Sequence, residues 1–137
     1  MKPGYEDALT DLQSEYISLC LEYAEGTAEE VFAYIYRTNT MRMFNAFFRS
    51  DGKILAASQL PPSCSDEEFL DLGRDDISKL EALCEKYEAP VPNEIKMQYN
   101  AKTGKFDAHM SYEDYSVKDK TTPMTVFMNW LKEERAK

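Results

Sequence analysis

From Glu94 to Tyr112 the side chains change character at almost every step, and this constrains the fold more than any other stretch of the chain. Ile95, Met97 and Tyr99 alternate with Glu94, Lys96 and Gln98; Phe106, Ala108, Met110 and Tyr112 alternate with Asp107, His109 and Ser111. A period of two is that of half-buried antiparallel strands. With Tyr99 opposite Phe106, every apolar residue faces an apolar one, and Ala101 to Gly104 remain as a short loop in which Gly104 is free to take a positive φ. A slip of one residue would bury the charges. The segment therefore predicts a hairpin whose apolar face needs cover from elsewhere in the chain.

Helical periodicity supplies that cover. Leu9, Leu12, Tyr16, Leu19, Cys20 and Tyr23 recur at steps of three and four, drawing one apolar stripe on a helix that Gly26 ends. Val31 to Arg37, Met41 to Arg49 and Lys53 to Gln59, joined by Thr38-Asn39-Thr40 and by Asp51-Gly52, read as a three-stranded meander. After the break at Pro61-Pro62-Ser63, Ser65 and Glu68 form a capping box for a helix carrying Phe69, Ile77, Leu80, Cys84 and Tyr87, stopped by Pro90 and Pro92. Gly73 interrupts this helix, at a cost of about 1 kcal/mol relative to alanine, and places its start after Gly73 as an alternative. Thr122 as N-cap and Pro123 as first helical residue open a last helix with Phe127, Trp130 and Leu131 on one side. The expected architecture is α+β, one domain over residues 1–137, an antiparallel sheet backed by helices in the order α-β-β-β-α-β-β-α.

A chain of 137 residues hides roughly 68% of its extended surface on folding, enough for a single core. Its formal charge of −9 opposes direct binding to nucleic acid, whose phosphates are held by clustered Lys and Arg, and favours a basic partner. The imbalance is local: from Pro3 to Tyr36 there are eight acids and no Lys or Arg. Cys20, Cys64 and Cys84 are odd in number, form no Cys-x-x-Cys pair and are accompanied by one histidine, so neither a disulfide framework nor a zinc site is expected and a reducing cytoplasm fits best. No run reaches membrane-spanning length, and the amino terminus lacks the basic-then-apolar order of a secretory signal.

Catalytic constellations are not expected. His109 shares an outward face with Asp107, yet no nucleophile accompanies them, and a histidine opposite Lys96 on a polar hairpin face is a solvated surface residue. Glu113 and Asp114 are neighbours on a strand, point to opposite faces and cannot flank one glycosidic bond. Asp66, Glu67, Glu68, Asp71, Asp75 and Asp76 crowd the beginning of a helix, where the macrodipole favours them; they lack the pattern of a calcium loop and read as a solvated face or a partner-binding patch. Phe32, Tyr34, Tyr36, Phe44, Phe47 and Phe48 put aromatics on both faces of the meander. Of these, Tyr34 and Tyr36 would suit the centre of an interface. Phosphate loops, nucleophile elbows and basic-aromatic patches are absent from the sequence, and no enzyme activity, cofactor or metal is expected.

The run P-x-E-I-K-x-x-Y-N-x-K-T-G-K-F-D-A from Pro92 to Ala108, followed by S-Y-E-D from Ser111 to Asp114, resembles the second half of the YezG-like immunity proteins. The upstream order of helix, aromatic strands and helix is similar to that family as well. The resemblance implies a small bacterial cytoplasmic antitoxin that neutralises a secreted polymorphic toxin, often a nuclease, by stoichiometric binding. On that reading Asp66, Glu67, Glu68, Asp71, Asp75, Asp76, Asp107, Glu113 and Asp114, with Tyr34 and Tyr36, are the candidate contacts to a basic toxin domain. A non-catalytic adaptor or regulatory domain of a cytoplasmic complex is the alternative.

Overall fold

A computed structural model describes residues 2–60, 66–113 and 121–137. Its centre is a five-stranded antiparallel sheet in the order β3-β2-β1-β4-β5, with β1 at Glu30–Arg37, β2 at Arg42–Ser50, β3 at Lys53–Ala56, β4 at Glu94–Asn100 and β5 at Phe106–Ser111. Helix α1 spans Tyr5–Ala24, α2 Asp66–Asp75, α3 Ile77–Lys86 and α4 Pro123–Arg135. The α+β class and the expected order hold, with α2 and α3 in tandem as one helical segment.

The meander and hairpin form by the local chemistry the sequence carries. Asp51 and Gly52 both take positive φ, the geometry of a tight hairpin turn between β2 and β3. In the second hairpin Tyr99 pairs with Phe106, Met97 with Ala108 and Lys96 with His109, and Gly104 has φ 75°. The third strand is shorter than its composition suggests. It ends at Ala56, where the Gln59 side chain accepts a hydrogen bond from the Ala56 N–H, and Ala57–Gln59 closes into a 3-10 turn.

The proline break at 61–63 and the Ser65 cap lie outside the described residues, but the Gly73 alternative is resolved. Gly73 is buried within α2, and the interruption falls at Asp76, which joins α2 to α3.

Strand β1 is buried on both faces, and this divides the interior into two layers. Val31, Ala33 and Ile35, with Phe44, Ala46, Phe48, Ile95 and Met97 from the neighbouring strands, meet α1, α2 and α3. Phe32, Tyr34 and Tyr36, with Phe47 and Ile54, meet Phe127, Trp130 and Leu131 of α4. Helix α4 starts as its sequence dictates: Thr122 Oγ1 accepts from the Thr125 N–H at 3.1 Å and Pro123 occupies the first turn. Two charge clusters tie helices to strands. Glu81 of α3 accepts from Arg37 Nε at 2.9 Å and also from Arg42; Arg49 Nε donates to Glu30 at 2.9 Å while its Nη2 lies 3.9 Å from Glu134 of α4.

Candidate partner-binding surface

Helix α1 packs its apolar stripe on the sheet and turns Glu6, Asp7, Asp11, Glu15 and Glu22 to solvent, with Glu25 just past its end. Asp7, Asp11 and Glu15 are spaced by four residues, so they stack along one line of the helix. Helix α3 runs beside it and brings Asp76 and Lys79 to the same depression, an open hollow of about 410 Å³ between the two helices. Lys79 Nζ lies 3.8 Å from Glu15 and 3.5 Å from Asp76. These pairs are exposed and contribute little to stability. The acids at the amino end of α1 are favoured by the helix macrodipole, but Glu22 and Glu25 lie at its negative end, and the last turn holds no basic residue.

The residues expected at a partner surface are dispersed. Asp66, Glu67 and Glu68 occupy the first turn of α2, where unpaired amides and the macrodipole account for them. Asp71 pairs with Arg74 of the same helix, and Asp75 is exposed. Asp76 alone joins the α1 acids. Asp107 projects from the sheet face opposite α1, beside Lys105 at 4.0 Å, and Glu113 follows β5 on the surface. Asp114 lies outside the described residues. Tyr34 and Tyr36 are 0% exposed beneath α4, so in this fold they form core and present no surface to a partner. The excess of aromatics on that face answers to the chain's own last helix. The four-residue spacing of the α1 acids was the sequence signal for the exposed ridge, and it becomes a surface only once α3 is seen to supply Asp76.

Neither described cysteine is held as a thiolate by its surroundings. Cys20 is fully buried and burial pushes its thiol well above the ordinary range. Burial also raises Cys84, opposed by the nearby Tyr5 hydroxyl, whose oxygen is 3.8 Å from the sulfur, and by Arg37. Tyr16, raised chiefly by burial, spends its hydroxyl on the Gly73 carbonyl at 2.8 Å. His109 and Asp107 are both exposed on β5. Among the described residues no group of three His, Cys, Asp or Glu side chains is placed to hold a metal ion, and no helix is long and apolar enough to cross a membrane. No protein-family model matches the chain, and no curated protein matches it.

Proposed function

We infer that this chain is an immunity protein that neutralises a basic toxin domain, a nuclease in the leading case, by stoichiometric binding in the bacterial cytoplasm. The observation that carries the reading is the outward face of α1, which keeps acids along its whole length and no base, including Glu22 and Glu25 at the end where negative charge destabilises a helix. Folding alone does not call for them there. A face of this kind speeds encounter with a cationic partner and competes with phosphates for a nuclease's substrate-binding positions. The likeness of the Pro92–Asp114 segment to the YezG-like proteins supports the same reading independently of charge.

The test is toxicity and its relief. The tagged protein, captured from its native host, should hold a basic enzyme at a fixed ratio, and that enzyme should kill cells unless this chain is co-expressed. Recovery of a partner harmless when expressed alone would replace the immunity reading with that of an adaptor.

A further inference from the structure

Three of the chain's five arginines, Arg37, Arg42 and Arg74, gather at the corner where β1 turns into β2. Arg37 and Arg42 are paired across the two strands, an arrangement in which like charges repel. Glu81 of α3 relieves it by accepting from both guanidinium groups, one on each carboxylate oxygen. Arg74, in the last turn of α2, reaches the same corner and pairs with Asp71 of its own helix. Three guanidinium groups are thus paired with two carboxylates, in a chain whose acids outnumber its bases.

Tying helix to strand accounts for Arg37, whose side chain is 9% exposed and gives Nε to Glu81 and Nη2 to Asn39 Oδ1. It does not account for the other two. The side chains of Arg42 and Arg74 stay 46% and 49% exposed, each commits Nη2 to its carboxylate, and among the described residues their remaining guanidinium N–H groups have no partner. Both line one open hollow of about 360 Å³, walled by the β1–β2 connection Thr38 to Met41. Glu81, the one acid among the described residues lining it, already has both oxygens engaged. The connection itself is held in shape: the Thr38 N–H donates to the Met41 carbonyl at 2.8 Å and the Thr40 N–H to Thr38 Oγ1 at 3.3 Å. Because the Asn39 side-chain oxygen faces Arg37, its NH2 group is left as a further donor. The hollow therefore offers a surplus of donors and no uncommitted carboxylate.

We propose that this hollow is an oxyanion-binding site, in which a carboxylate or phosphate group is held between the guanidinium groups of Arg42 and Arg74 with the Asn39 amide as a third donor. A guanidinium fork matches either anion with two parallel hydrogen bonds. The charge of −9 repels anions from most of this protein, so a local surplus of cations is what an anion site here requires. The hollow shares no residue with the acidic depression between α1 and α3, and the inference does not rest on the proposed inhibition of a toxin.

The test titrates the isotope-labelled full-length protein with sodium phosphate in one series and N-acetylglutamic acid α-amide in another, at ionic strength held constant with sodium chloride, and follows the arginine Nε–Hε resonances. Those of Arg42 and Arg74 should shift along one saturating curve with a Kd of about 1–10 mM for at least one probe. Arg49 Nε, bonded to Glu30 at the other end of β2, should not move. Arg42→Gln and Arg74→Gln should each weaken binding by at least about 10-fold, whereas Lys53→Gln, which removes an exposed cation from β3, should leave it unchanged. Tighter binding of phosphate would support the site and assign it to a phosphorylated ligand; binding of the blocked glutamate at least as tight would support it and assign it to an acidic side chain of a protein partner. Shifts that rise linearly with both probes, or saturable binding that Arg42→Gln and Arg74→Gln leave as tight as in the parent chain, would overturn the proposal.

Discussion

Gly73 of α2 and Phe44 of β2 are in such close approach that a Cβ on Gly73 would fall 2.1 Å from Cδ2 of the Phe44 ring. The ring is itself held between Tyr16 at 5.4 Å and Phe69 at 5.4 Å, so it has little room to retreat. In an exposed helix, glycine to alanine would add about 1 kcal/mol of stability. Here the sign reverses. Gly73→Ala is expected to destabilise by about 1–3 kcal/mol net, as overpacking outweighs propensity, read as a lower urea midpoint at unchanged slope. A midpoint above that of the parent chain would mean that α2 does not lie against Phe44.

That glycine shows what was legible in the sequence and what was not. Its helical setting could be read from the apolar spacing around it, but its meaning could not: propensity treats glycine as a weakness, and only tertiary contact reveals it as the opening for Phe44. The hairpin register was legible, because Tyr99 opposite Phe106 is the pairing that puts apolar residues on one face. The burial of Tyr34 and Tyr36 was half legible. Apolar side chains on both faces of β1, Val31, Ala33 and Ile35 on one and Phe32, Tyr34 and Tyr36 on the other, announce two covering layers, but the sequence does not say whether the second layer comes from this chain or from a partner, and α4 decides it. The acidic ridge was legible as a charge run, and its pairing with Asp76 was not, since that depends on α3 lying beside α1.

Tyr34 ties the second core layer to β4. Its hydroxyl donates to Glu94 Oε2 at 2.7 Å, and Glu94 is 1% exposed. Tyr34→Phe keeps the ring contacts with Phe127 and Trp130 and removes that donor from a buried carboxyl group. The expected loss is about 1–3 kcal/mol, measured by denaturant unfolding. A loss below a few tenths would mean that solvent or another donor takes over the carboxyl group without cost.

Alkaline stability should follow the buried thiols. Cys20 and Cys84 are both raised by burial. In the unfolded chain a thiol loses its proton near pH 8.5, while in the folded protein it keeps it to higher pH, so above that value the native state binds more protons and stability falls as pH rises. The stabilisation is fully present below the unfolded value and is lost on the way up to the folded one. Between pH 9 and 10 the Cys20 thiol contributes a decline of about 1.4 kcal/mol per pH unit, Cys84 acts in the same direction, and Cys20→Ala should remove its share of the slope whatever it does to stability at pH 7. Parallel unfolding curves for the two proteins across that range would refute the assignment to Cys20.

Glu22 separates stability from binding. It lies in the last turn of α1, at the negative end of the macrodipole, with no basic residue in that turn to offset it. Glu22→Gln should therefore stabilise the fold by about 0.3–1 kcal/mol at low ionic strength. Asp7→Asn, at the positive end of the same helix, should destabilise it by a similar amount. Binding to a basic partner answers to surface potential and not to the helix dipole, so both changes should weaken it, with the loss shrinking as salt rises. The opposite signs in thermal unfolding, set against the same sign in titration calorimetry with the captured partner, distinguish a face kept for binding from one that is merely solvated. If Glu22→Gln stabilises the protein and leaves affinity and its salt dependence unchanged, the α1 ridge is not the contact surface.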